Sequence, residues 1–190
     1  MGEIKEPQPV NLIIGMLTSI EELFCFVETA LKKEFGAIDL KSDIIPFDFT
    51  DYYQAEMGSN IQRRFFSFDK LIMPDRLADI KLWTNQFEED MATPPLSPTS
   101  QGAEWRGGKR PINLDPGYIS KAKLVLASTK DFSHRIYLGK GIYAEVTLQY
   151  RNGRYESLPW TFPDYKTQQY QQFFLKVRNL YREKLKNISK

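Results

Sequence analysis

The apolar run VNLIIGML, Val10 to Leu17, is followed at once by SIEE and then by Leu23, Phe26, Val27, Ala30 and Leu31 at helical spacing. A short continuous apolar run reads as a buried strand, and apolar residues three or four apart read as one face of a helix. A strand that feeds straight into an amphipathic helix constrains the fold to a sheet with helices packed on it. Ser19 and Glu22 have capping-box spacing, in which the hydroxyl accepts from the Glu22 N–H and the Glu22 side chain reaches back. Gly36 ends the helix.

Ala37 to Thr50 reads as extended, with Pro46 at a sheet edge or bulge, and Ile61 to Phe68 as a second extended piece. The intervening DYYQAEMGSN is a loop or a single turn. PDRLADIKLWTNQFEEDM reads as a helix capped by Asp75, with Leu77, Ile80, Phe87 and Met91 on one face. Residues 92–110, rich in Pro, Gly and Ser, read as a long, exposed, mobile loop. AKLVLAST and HRIYL follow as strands. Asn152-Gly153 suits a type I′ hairpin turn, and a last helix runs from about Lys166 to Lys186. Its apolar side is Tyr170, Phe173, Phe174, Val177, Leu180 and Tyr181. Strand, helix, strand, strand, helix, strand is the split βαβ order of ferredoxin-like folds. The expectation is therefore one α+β domain over residues 1–190: an antiparallel-rich sheet with helices on one face and the other face free, extended by a C-terminal hairpin and helix.

Composition removes several function classes. A net charge of +2 does not by itself imply a nucleic-acid partner. One cysteine and one histidine leave no internal disulfide, and they argue against a structural zinc site. Cys25, on the first helix, reads as a buried inert thiol. No apolar run is long enough to span a bilayer, and the N-terminus lacks a signal peptide, so the cytoplasm is the expected location.

Two segments concentrate polar chemistry. In NLDPGY, Pro116 and Gly117 fit the central positions of a type II turn, which would present Asn113, Asp115 and Tyr118 at a site edge. In TKDFSHRIYL, strand alternation puts His134 and Arg135 on opposite faces, with Lys130 and Asp131 in the turn before. Asp131 beside His134 would serve acid–base chemistry, and Lys130 and Arg135 would hold an anion. Asp48, Asp51 and Glu56 could hold magnesium, although a solvated loop is the plainer reading. LPWTFPDY reads as a packed corner. Neither a GxSxG elbow nor a phosphate loop is present.

These stretches, FDFTDYYQAEMG, DKLIMPDRLADIKLWTNQFE, INLDPGYISKAKLVLASTKDFSHRIYLGKGIYAEVTLQY and LPWTFPDY, resemble the prokaryotic domain-of-unknown-function family DUF4416 over nearly the whole chain. The resemblance implies a stand-alone bacterial or archaeal protein of about this size, with no established activity. It maps the family motif onto Asn113, Asp115, Pro116, Gly117, Tyr118, Lys130, Asp131, His134 and Arg135. The stretch from Thr93 to Lys109 is longer than the family leads one to expect. Some members are described as GTP-binding, but this chain has no phosphate loop of that kind. The leading expectation is a binding protein or enzyme for an anionic, phosphate-bearing, nucleotide-like molecule, with catalytic His134 and Asp131 and binding residues Lys130, Arg135, Asn113, Asp115 and Tyr118. No cofactor or metal is specified. One alternative is an RNA-binding module using the free sheet face and the basic C-terminal helix. The other is a partner-binding scaffold using Trp105 and the Pro-rich loop.

Overall fold

The computed structural model describes residues 2–92 and 110–188. The elements run β1 (Val10–Thr18), α1 (Glu22–Phe35), β2 (Ile38–Lys41), β3 (Ile45–Pro46), α2 (Gln54–Met57), β4 (Gln62–Ile72), α3 (Leu77–Ala92), β5 (Ile112–Ile119), β6 (Lys123–Ser128), β7 (Ile136–Gly139), β8 (Ile142–Arg151), β9 (Arg154–Ser157) and α4 (Gln168–Ile188). All nine strands join one antiparallel sheet in the order β2-β4-β1-β5-β6-β8-β7, with β3 beside β4 and β9 beside β8. The fold is α+β, as expected, but with a larger sheet. No described helix is long and apolar enough to cross a membrane. The Pro-rich loop lies, over residues 93–109, outside the described residues.

Strand alternation divides the core. Leu12, Ile14 and Met16 pack with Phe24, Val27 and Leu31 of α1 and Ile80 of α3. Ile13 packs on the opposite face with Phe65 and with Phe173, Phe174 and Val177 of α4. Helices therefore cover both faces, which corrects the expectation of one free face. The apolar side of α4 needs a partner, and the sheet supplies it. The face that RNA would have used is occupied, and two of the helix's basic groups are engaged: Lys184 pairs with Asp39 at 2.5 Å, and Arg178 Nε donates to the Lys121 carbonyl at 2.9 Å.

Local signals fared unevenly. Asn152 and Gly153 have φ of 49° and 84°, as a type I′ turn requires. The Ser19 capping box does not form, because the Ser19 hydroxyl donates to the Met57 carbonyl instead. Asp75 makes no cap bond and sits in a 3-10 turn, Pro74–Arg76. On α1, Phe24 is buried where Phe26 was expected, and Cys25 is exposed, not buried.

The largest departure is NLDPGY, which is not a turn but the body of β5. β5 pairs with β1 along its whole length, Asn11↔Ile119 to Thr18↔Ile112. On its other side it pairs with β6 only from Gly117 to Ile119. Leu114 and Pro116 direct their backbone groups to the same side, away from β1, by the period of a strand. Proline has no N–H to give a neighbouring strand, so it suits the end of a ladder. Leu114, one step further on, takes side chains instead of a strand. Its N–H donates to Glu88 Oε1 at 2.6 Å, and its carbonyl accepts from Lys81 Nζ at 2.8 Å. α3 thus completes the backbone hydrogen bonding where β6 departs, and the sheet forks.

Gly117 closes the base of the fork. A Cβ there would lie 2.3 Å from the Val125 carbonyl oxygen and 2.7 Å from a Leu126 methyl group. Since the first of these neighbours is backbone, Gly117→Ala is expected to destabilise the fold by about 1–3 kcal/mol or more, as overpacking does. Urea denaturation measures this; a cost below about 0.5 kcal/mol, the size of an ordinary surface substitution, would contradict the close approach.

Candidate functional site

The fork opens into a cleft of about 960 Å³. Asn113 and Asp115 line it from β5; Leu126, Ala127 and Ser128 line it from β6, followed by Thr129 and Lys130. The loop after β3 and α2 adds aromatic walls, Phe47, Phe49, Tyr52 and Tyr53, and the corner after β9 adds Phe162 and Tyr165. Alternation explains which β5 residues arrive. Asn113 and Asp115 share a face, whereas Tyr118 points to the other face and packs with Leu77, Val125 and Ala127. Tyr118 therefore does not line the cleft.

The floor is an ion cluster. Arg63 of β4 is 3% exposed; its Nη1 donates to Asp115 Oδ2 at 2.9 Å and its Nη2 to Asp164 Oδ2 at 3.3 Å. Its guanidinium carbon lies 5.3 to 5.9 Å from the ring centroids of Phe47, Phe65 and Tyr165. Burial by itself would push the Asp115 carboxyl up, but Arg63 and Lys81 outweigh it and hold Asp115 below the usual carboxylate range. Burial wins at Asp164 and pushes its carboxyl up despite Arg63. Burial also pushes the Tyr170 phenol up to about 12, so it stays protonated beside the cluster. The Asn113 amide lies alongside Asp115 and helps hold its charge, while its buried Nδ2 lacks a partner at hydrogen-bond geometry among the described residues.

A second cluster lies across the cleft. Arg110 links Glu56 of α2, at 2.9 Å, to Glu88 of α3, so the loop, α3 and the start of β5 are tied together. Burial pushes the Glu88 carboxyl up, against Lys81 and Arg110.

The TKDFSHR segment behaves differently from its expectation. His134 precedes β7, in a turn closed by the Arg135 N–H donating to the Phe132 carbonyl at 2.9 Å. A turn has no two-residue alternation, so His134 and Arg135 converge on the same atom. His134 Nε2 lies 3.1 Å from Glu145 Oε2, and Arg135 Nε donates to that oxygen at 2.8 Å. The carboxylate beside the imidazole is thus Glu145 of β8, not Asp131, which is exposed and lines no part of the cleft. His134 does not line the cleft either; its ring stacks on Trp160 at 5.1 Å. The proposed His134–Asp131 pair is not formed. The structure does bring Asn113, Asp115, Lys130 and Arg135 to one concavity. As for magnesium, Asp51 accepts from Gln54 at 2.6 Å and Glu56 is taken by Arg110; among the described residues no group of three or more acidic, histidine or cysteine side chains could hold a metal.

Arg63, Lys81, Glu88, Glu145 and Asp164 were not picked out from the sequence. Two of them had a signal there. Arg63 stands between Ile61 and Phe65 on an apolar face of its strand, and Glu145 interrupts the apolar GIYAEVTL. A charge in such a place is buried and paired, or functional.

The model of a family described as a domain of unknown function, DUF4416, matches residues 8–181. The chain belongs to that family. No curated protein and no solved structure matches it. The DUF4416 match runs from before β1 into the last turns of α4 and so takes in both prongs of the fork.

In this DUF4416 chain, Arg63→Met leaves two carboxylates without their cation. The expected cost is about 3–5 kcal/mol at pH 8, the range for breaking a buried pair. Without Arg63 both carboxyls move up, so protons bind the folded variant more readily than its unfolded chain and the deficit shrinks as pH falls. Urea denaturation at pH 8 and pH 5 should show a smaller difference from the parent at pH 5. An equal difference at both values would rule out the cluster as drawn.

Proposed function

We propose that the cleft binds a small anionic molecule, phosphate-bearing and nucleotide-like, with its charge at Lys130 and Arg135 and its ring against the aromatic walls. The observation that carries this reading is the charge pairing of the lining. Arg63, Arg110 and Arg135 each meet a carboxylate, and Lys81 is spent on the Leu114 carbonyl. Among the described residues the exposed Lys130 ammonium meets only Tyr52, donating to its hydroxyl at 3.2 Å and standing 4.8 Å from its ring centroid. A lysine ammonium is a mobile point charge suited to phosphate.

Size and lining agree with this. Small-molecule sites occupy a few hundred to about 1,000 Å³, apolar and aromatic with a few convergent polar groups. Phe49, Tyr52 and Phe162 keep 37%, 59% and 43% of their surface exposed, which suits stacking against a planar ring at the entrance. The reading is one of binding. The placement of His134 away from the cleft lends no support to acid–base chemistry there.

We also infer that β1, β2, β4 and β5 with α1 and α3 form a ferredoxin-like unit. The order β2-β4-β1-β5 supports this, since it places β4 between β1 and β2, as a split βαβ requires.

Isothermal titration with nucleoside monophosphates and phosphosugars tests the binding reading. At least one is expected to bind, and Lys130→Ala is expected to weaken it roughly tenfold, the loss of one charge-assisted contact. No binding at millimolar concentration, or full affinity in the variant, would contradict it.

A further inference from the structure

Buried Glu145, with the part-buried His134 and Arg135, carries an inference that rests on the binding reading above and deepens it. Glu145 is 1% exposed in its side chain, Arg135 10% and His134 13%. Arg135 is tied on two of its three nitrogens. Nε donates to Glu145, and Nη1 donates to Ser128 Oγ and to the Lys130 carbonyl, each at 2.9 Å. Nη2 makes no hydrogen bond among the described residues, and Arg135 lines the cleft beside Lys130. Glu145 is itself held. His134 shares its Oε2, and Thr147 Oγ1 reaches its Oε1 at 3.3 Å. His134 is in turn clamped by Trp160, with ring planes 8° apart, and by Phe132 at 5.3 Å; Trp160 is anchored through Nε1 to the Val146 carbonyl at 2.8 Å.

We propose that Glu145 and His134 are positioning residues that hold the Arg135 guanidinium as the directional half of the anion subsite, with Lys130 as its mobile charge. A guanidinium fixed along two edges loses little freedom when its third edge grips an oxyanion. The carboxylate that neutralises Arg135 also aims it. A mere staple between the β7 turn and β8 would need the ion pair alone. It would not need the backbone carbonyl of Lys130 and Ser128 Oγ arranged around the same Nη1, next to a lining lysine that makes no ion pair among the described residues.

The test uses matched probes, AMP with adenosine and ribose 5-phosphate with ribose, on the full chain. The ratio of affinities within a pair isolates the phosphate. Glu145→Gln keeps the size and removes the charge; the phosphate preference should fall roughly tenfold while affinity for the neutral partner is unchanged. His134→Ala should lower the preference in the same direction, and His134→Gln, which retains an N–H donor, should restore it. His134 is the only histidine, so its ring resonances are assigned by inspection. AMP should shift them in the parent and not in Glu145→Gln. An unchanged phosphate preference in Glu145→Gln and His134→Ala, or an equal loss for both members of each pair, overturns the positioning role and leaves the cleft reading standing. A parent that binds none of the probes overturns the cleft reading and this inference with it.

Discussion

A missing hydrogen-bond donor shapes this protein. Pro116 cannot offer an N–H to a neighbouring strand, and at that residue β6 leaves β5. The backbone of Leu114 then needs partners, since an unpaired buried amide or carbonyl costs about as much as a lost hydrogen bond. Glu88 and Lys81 of α3 provide them from side chains, and this keeps the fork open instead of collapsed. Gly117, directly below, lets the two strands meet as closely as backbones can. Open fork above and tight contact below together make the cleft.

Forking a sheet exposes polar groups inside the fold, and the charges respond to that. Arg63 on one face and Glu88 on the other are both nearly inaccessible, and each is surrounded by opposite charge. Among the described residues the three arginines of the lining each meet a carboxylate, and Lys81 meets a backbone carbonyl. In the binding reading proposed above, attraction for an anion would be concentrated at Lys130, which makes no ion pair among the described residues, next to an arginine engaged by Glu145. In that reading the aromatic rim would supply the area and Lys130 the charge.

Much of the fold was legible because it rests on short-range signals. The apolar run of β1, the Asn152-Gly153 turn and the aromatic side of α4 each follow from neighbours in sequence. Pro116-Gly117 misled for the same reason. The dipeptide carries turn chemistry, and only the β1 partner, about 100 positions away, reveals it as a strand interior that ends a ladder. His134 and Arg135 were assigned to opposite faces because HRIYL looked like strand throughout, whereas its first two residues belong to a turn. Asn113, Asp115, Lys130 and Arg135 were visible as a polar concentration. Arg63 was not, because its partners Asp115 and Asp164 lie 52 and 101 residues away, and no local pattern encodes such pairing.

The central claim is that both prongs of the fork face one ligand. Amide chemical-shift mapping during a titration with AMP reads this directly. The account predicts that Asn113 to Asp115 on one prong and Ser128 to Lys130 on the other move together, with Arg135 and Tyr52, while the β9 hairpin at Asn152 stays fixed. Movement confined to one prong, or centred away from the cleft, would contradict it.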